Sequence, residues 1–208
     1  MRAVVFDLDG TLIDSCPDIR TALNLVLADD GLAPLSLPAV QQIIGDGAGA
    51  LLARGFAARG SVAGPRHLSA FLAAYEPRCV AQTRAYPGIA AALAALRAAG
   101  HPLGVCTNKP ERAARRILDA LGLAEYFLAV TGGDSTPFRK PDPRHLAATL
   151  ASLGVAQAVM VGDHENDMQA AAGLGLPSIF VRWGYGQAQG TYSVAVADAL
   201  PGLIMKMA

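Results

Sequence analysis

The chain has 208 residues, of which 52% are hydrophobic and 16% charged, and its 17 basic and 17 acidic residues leave a formal net charge of zero. That composition excludes a disordered polymer and suits one domain with a sizeable core, or a core domain carrying a smaller insert. The 14 arginines and 3 lysines are scattered, which gives no electrostatic footprint for nucleic acid or an anionic membrane, and the apolar runs fall short of a membrane span.

The N-terminus carries Arg2 and a short apolar run, but Asp7 and Asp9 interrupt it before a signal-peptide core forms, so a cytoplasmic protein is expected. Cys16, Cys79 and Cys106 are odd in number and match neither zinc spacing nor a disulfide framework; reduced thiols are expected, with Cys106 a packing residue.

In chain order, Val4-Val5-Phe6-Asp7-Leu8-Asp9-Gly10-Thr11 reads as a buried strand whose carboxyl end opens into a turn. Period-2 alternation places Asp7 and Asp9 on one side if the strand continues that far. Two like charges held together ask for a divalent cation, an acid/base role, or both; an Asp-rich turn is the plainer alternative. Ser15 can cap a helix from Pro17 to about Gly31, with Ile19, Ala22, Leu23, Val26 and Leu27 at helical spacing. Further helices are predicted over Pro38 to Ile44, Ala50 to Ala58 and Arg66 to about Glu76, where Pro77 ends the last. No convincing strand falls in residues 16–83.

From Tyr86-Pro87-Gly88 onward, short apolar runs alternate with helical patterns, as a parallel sheet with crossover helices requires. The strands predicted are Leu103 to Cys106, Phe127 to Val130, Ala158 to Val161 and Ser178 to Val181. Helices lie near 89–99, 111–121, 142–153 and 165–173, and the tail, with Val194 to Val196 and a helix to Met205, completes the sheet edge. The fold class is therefore α/β, a doubly wound parallel sheet with an inserted all-helical segment. The domains expected are a core of 1–15 and 84–208 and a cap of 16–83, hinged near Asp14 to Pro17 and Thr83 to Gly88.

Groups at the carboxyl ends of such strands converge on one crevice. Besides Asp7 and Asp9, one strand leads into Thr107-Asn108-Lys109, where Thr107 either caps a helix or stands at a helix N-terminus whose free backbone donors suit a phosphate. Lys140, stiffened by Pro141 and Pro143, would set an ammonium beside the clustered carboxylates, although a lone lysine is usually a solvated surface charge. Asp163 and Asp167 lie on one face if a helix begins between them, and their oxygens suit Mg²⁺; a helix N-terminus by itself also favours acids, which accounts for Asp167 better than for Asp163.

Asp7-Leu8-Asp9-Gly10-Thr11-Leu12 with Asp14-Ser15, then Thr107-Asn108, Lys140-Pro141 and Gly162-Asp163 with Asp167, resemble in order the four signatures of the haloacid dehalogenase superfamily, in its phosphatase branch. The resemblance implies a Rossmann-like core and a Mg²⁺-dependent phosphatase acting on a small phosphorylated metabolite. It makes Asp7 the nucleophile and a metal ligand, and Asp9 the acid/base that also holds the metal through its backbone carbonyl. Thr107 and Asn108 would bind the phosphoryl group, Lys140 would neutralise charge, Asp163 would ligate the metal, and Asp167 would support it directly or through water. His164 and Glu165 fall at variable positions of the signature and receive no role.

Three rivals follow: a sugar-phosphate mutase or a pyrophosphatase of the same superfamily, and a phospho-accepting receiver module, which Asp9 and the helical insert argue against. In the insert, the glycine-rich stretch Ile44-Gly45-Asp46-Gly47-Ala48-Gly49 with Leu51-Leu52, and Tyr86-Pro87-Gly88 at the return linker, resemble the phosphoglycolate phosphatase group. Phosphoglycolate is the substrate this implies, with Gly45, the loop amides or Arg54 offering donors to its carboxylate.

Overall fold

The structure, a computed structural model, describes residues 2–207. Its centre is β1 (Ala3–Phe6), a strand buried from end to end. After the turn come β2 (Ile13–Asp14) and four helices, α1 (Cys16–Asp29), α2 (Leu37–Gln41), α3 (Gly47–Ala57) and α4 (Pro65–Tyr75). The chain returns through β3 (Arg84–Ala85) and then alternates α5 (Ile89–Ala98), β4 (Leu103–Cys106), α6 (Glu111–Ala120), β5 (Ala129–Thr131), α7 (Pro143–Leu153), β6 (Ala158–Gly162), α8 (Glu165–Ala172), β7 (Ser178–Val181), β8 (Tyr192–Val194) and α9 (Leu200–Met205).

The main sheet is wholly parallel in the order β5-β4-β1-β6-β7-β8. Strand order runs outward from β1 in both directions, the doubly wound arrangement in which a crevice opens at the carboxyl end of the central strand. Alternate side chains feed two apolar layers, as the period of two requires. Val4, Phe6, Val105, Val159, Val161 and Ile179 pack on the α5, α6 and α9 side, whereas Ala3, Val5, Cys106 and Met160 face α7 and α8. Cys16, Cys79 and Cys106 are all free and buried.

Several boundaries move. Strand β5 begins two residues later than the apolar run from Phe127 predicts, because a 3₁₀ turn at Ala124–Tyr126 takes up the approach to the sheet. The edge strand is Tyr192–Val194, not Val194 to Val196. Helix α4 stops at Tyr75, and Pro77 sits in the 3₁₀ turn Glu76–Arg78 that follows it.

Residues 16–83 hold no strand among the described residues, and the chain enters and leaves this segment side by side: β2 and β3 pair antiparallel, Ile13 opposite Ala85 and Asp14 opposite Arg84. Asp18, buried in the first turn of α1, accepts from the backbone N–H of Gln82 and Thr83 and from the Thr83 hydroxyl, which ties the first helix to the return linker. No helix among the described residues is long and apolar enough to cross a membrane.

Candidate active site

The crevice collects residues from four strand or loop ends. Strand β1 stops at Phe6, so Asp7 and Asp9 lie on the turn beyond it, anchored where Asp7 N–H donates to Val161 O at 2.8 Å. The expectation that alternation would force the two carboxylates together fails here, because once the chain leaves the strand they take different partners. Asp7 joins Asp163 and Asp167 in a buried cluster whose carboxylate oxygens lie within 4.8 Å of one another. The Asp9 carboxylate turns instead to the Ser15 hydroxyl and to Lys109, whose Nζ donates to its two oxygens at 2.9 and 3.0 Å.

Lys140 lies under the acidic cluster. Its Nζ donates to Asp167 Oδ1 at 2.6 Å and stands 2.8 Å from Asp7 Oδ1 in an ion pair off the hydrogen-bond direction, so that Asp7 Oδ1 has no hydrogen-bond donor. Burial raises the Asp7 pKa, and the nearby lysine only partly opposes this. Burial likewise pushes Asp167 up to about 7 against the pull of Lys140. Burial alone would lower the Lys140 pKa, but Asp167 and Asp7 outweigh it and the ammonium is held protonated. The other carboxylate oxygen of Asp167, Oδ2, accepts from His164 N–H at 3.0 Å at the start of α8, so this residue both caps the helix and belongs to the cluster.

Asp163 is held on every side. Thr11 Oγ1 donates to its Oδ1 at 3.0 Å, and the backbone N–H groups of Tyr185 and Gly186 donate to its Oδ2 at 2.8 and 3.2 Å. Gly10, at φ +83°, lets the turn lie directly on this carboxylate, and a Cβ there would collide with it. His164 Nδ1 is 3.1 Å from Asp163 Oδ2, within ion-pair distance but without a hydrogen bond. Burial would lower the imidazole pKa, yet Asp163 overrides this and lifts it to about 9. The Asp163 pKa is lowered in turn: burial raises it, and His164 with the two loop amides more than offsets that.

Helix α6 starts at Glu111 after Pro110, which removes helix capping as the explanation of Thr107; its hydroxyl accepts from Lys109 N–H at 3.2 Å and lines the crevice. The side chain of Asn108 is engaged within the protein. Its Oδ1 accepts from Lys140 N–H at 2.9 Å, and its Nδ2 donates to Lys140 O at 2.9 Å and Gly45 O at 3.0 Å. With both amide hydrogens committed, its side chain places Lys140 and the insert's loop and has no donor left for a ligand.

Gly45 does line the crevice, at φ +124°, with the His164 ring 2.7 Å from where a Cβ would stand. Arg54 does not: it is half-exposed, ion-paired with Asp46, and outside the cavity lining. Asp46 also accepts from Asn166 Nδ2 at the head of α8, so this charge pair joins the insert to the core. The cavity between insert and core is small, ≈ 50 Å³, and is walled by Ile19, Ile44, Leu51, Phe71 and Leu72, with Asp7, Asp9 and Thr107 at its polar end.

Sequence reasoning missed Lys109, Tyr75 and Tyr185. Lys109 had a signal, since it directly follows Thr107-Asn108 and is one of 3 lysines. Tyr185 had none, because its partners lie 170 residues away at Ser15 and 22 away at Asp163.

Three buried carboxylates with closely spaced oxygens, one of them without a hydrogen-bond donor, form the hard oxygen-ligand set that suits a small divalent cation. The family model for a haloacid dehalogenase-like hydrolase matches residues 1–175, which contain every one of these carboxylates. The chain is 49% identical over 194 residues to the phosphoglycolate phosphatase of Rhodospirillum rubrum, covering 88% of this chain and 80% of that one. It is 43% identical over 188 residues to the phosphoglycolate phosphatase of Caulobacter vibrioides, covering 88% and 79%. Among solved structures, a predicted phosphoglycolate phosphatase from Haemophilus somnus superposes with a TM-score of 0.89 at 28% identity over 98% of both chains. Sheet order, acidic cluster and sequence therefore agree, and the chain belongs to the haloacid dehalogenase-like hydrolase family.

Proposed function

We propose that this hydrolase is a Mg²⁺-dependent phosphomonoesterase whose substrate is 2-phosphoglycolate, and that residues 16–83 act as a cap over a catalytic core of 1–15 and 84–208. The observation that carries the reaction class is the meeting of Asp7, Asp163 and Asp167 over a fully buried Lys140. The substrate is supported by the relatives' names and by a cavity whose volume suits only a small leaving group.

In this reading Asp7, Asp163 and Asp167, with the Asp9 carbonyl, hold Mg²⁺, which supplies charge neutralisation for the incoming phosphate. The Asp7 carboxylate attacks phosphorus as the ester P–O bond breaks, giving an aspartyl phosphate and an alkoxide. Asp9, which must carry a proton when this step begins, gives it to that alkoxide, and then as the carboxylate takes a proton from the water that cleaves the aspartyl phosphate to restore Asp7 and release phosphate. Lys140 offsets charge on the phosphoryl oxygens, and the Thr107 hydroxyl donates to one of them. Lys109 and Ser15 fix the Asp9 carboxylate while the insert shields the crevice from water.

The test is a rapid-quench reaction with labelled 2-phosphoglycolate followed by peptide mapping. Label on Asp7 in wild type, and none in Asp7→Asn, is expected; label on another residue would overturn the assignment.

A further inference from the structure

We infer that Lys109 and Tyr75 together form the seat for the carboxylate of the substrate's leaving group. The inference rests on the proposed reaction and adds what recognises the part of the substrate that is not phosphate.

At the polar end of the cavity Lys109 Nζ meets both oxygens of the Asp9 carboxylate, and Tyr75 lines the same space beside the apolar wall of Ile19, Ile44, Leu51, Phe71 and Leu72. Lys109 is the one basic side chain among the described residues that line this space, since Lys140 lies beneath the acids and Arg54 is paired outside. A carboxylate drawn in among apolar walls needs a cation and a hydrogen-bond donor. Both stand ready. The Lys109 side chain is 4% exposed, and its Nζ, held by the Asp9 carboxylate, lies 4.7 Å from the centre of the Tyr75 ring.

Tyr75 supplies the second, independent observation. Its hydroxyl is buried at the cavity beside the Lys109 ammonium and donates to no acceptor. Such an orphaned group is rare in a folded protein and calls for an occupant that completes it. Burial raises the phenol's pKa, so it remains a donor at neutral pH. Burial would lower the Lys109 pKa, but Asp9 reverses this and keeps the ammonium charged. Because Tyr75 ends α4 while Lys109 follows β4, the seat is complete only with the insert against the core.

The competing account is that Lys109 serves only as counter-ion to Asp9. A ratio separates the two, because damage to the general acid Asp9 slows ethyl phosphate, with its poorer leaving group, at least as much as 2-phosphoglycolate and so does not by itself reduce the preference for 2-phosphoglycolate. Steady-state kcat/KM is measured for 2-phosphoglycolate and for ethyl phosphate, which carries a methyl group in place of the carboxylate, in wild type, Lys109→Met and Tyr75→Phe. Wild type is expected to prefer 2-phosphoglycolate. Lys109→Met should reduce that preference about 10- to 100-fold and Tyr75→Phe about 3- to 10-fold. An unchanged ratio in both variants overturns the carboxylate seat while leaving the proposed function standing. Absence of a preference in wild type overturns the named substrate and the seat with it. Should Lys109→Met fail to fold, Tyr75→Phe decides by the same ratio. Calorimetric binding of 2-phosphoglycolate to Asp7→Asn, with and without Tyr75→Phe, repeats the decision without turnover.

Discussion

Lys140 Nζ donates to Asp167 Oδ1 at 2.6 Å, and neither side chain is more than 2% exposed. A lysine so placed is held by its partners as much as it serves them, since removing it strands the buried carboxylates of Asp167 and Asp7 together. Breaking a buried pair from one side costs about 3–5 kcal/mol, whereas neutralising both members costs less. Lys140→Met should therefore destabilise the metal-free protein by about that amount, and Lys140→Met combined with Asp167→Asn should recover part of the loss. Urea denaturation in the presence of chelator measures both. A double variant no more stable than Lys140→Met alone would contradict this coupling.

The acidic cluster sets a pH dependence whose sign is fixed by three groups. Asp167 is raised to about 7, so the fold prefers its protonated form and loses that preference as pH climbs through 7. His164 is raised to about 9, so the stability its charge lends is complete below its ordinary value and is lost as pH rises through 9. Asp163, lowered, contributes above its ordinary value and is lost only in acid. The metal-free protein should thus melt at a lower temperature at about pH 8.5 than at about pH 5.5. Added Mg²⁺ binds the ionised carboxylates, so it should raise the melting temperature more at the higher pH. Scanning calorimetry with chelator or Mg²⁺ at both pH values checks this, and an equal Mg²⁺ effect at both would count against it.

The strands and the acids that end them were legible because each lies within a few residues of its own signal. A run such as Val159-Met160-Val161 before Gly162-Asp163 states burial, turn and charge in one stretch. The partners of those acids were not legible, since they depend on which strand ends the topology brings together. Asn108 reads as a ligand donor next to Thr107, but only the approach of Lys140 and Gly45 shows its amide to be fully used. Ser15 reads as a helix cap, yet its hydroxyl goes to Asp9 while its N–H goes to Tyr185. Arg54 reads as a donor to substrate, and its partner is Asp46.

Tyr185 stands between the acidic cluster and the base of the helical segment, and its two halves do different work. Its backbone N–H, with that of Gly186, fixes Asp163 Oδ2. Its phenol oxygen accepts from the N–H groups of Ser15 and Cys16 at 2.8 and 3.1 Å and donates to Asp14 Oδ1 at 2.6 Å, so it caps α1 from outside the helix. Tyr185→Phe removes only the second set. With the Ser15 N–H left without its acceptor, and the Cys16 N–H and the Asp14 carboxylate left only their 3.3 Å bond to each other, the loss in stability should be about 1–3 kcal/mol. Asp163 keeps its backbone donors, so the stabilisation by Mg²⁺ should match wild type. The ribbon of Ile13–Asp14 against Arg84–Ala85 loses the phenol that pins Asp14 from the core side, and trypsin should cut at the exposed Arg84 faster than in wild type. Limited proteolysis followed by mass spectrometry, run beside melts with and without Mg²⁺, separates the effects. Wild-type cleavage at Arg84 in Tyr185→Phe would show that the phenol does not hold this ribbon, and a reduced Mg²⁺ effect would show that the two halves of the residue do not act separately.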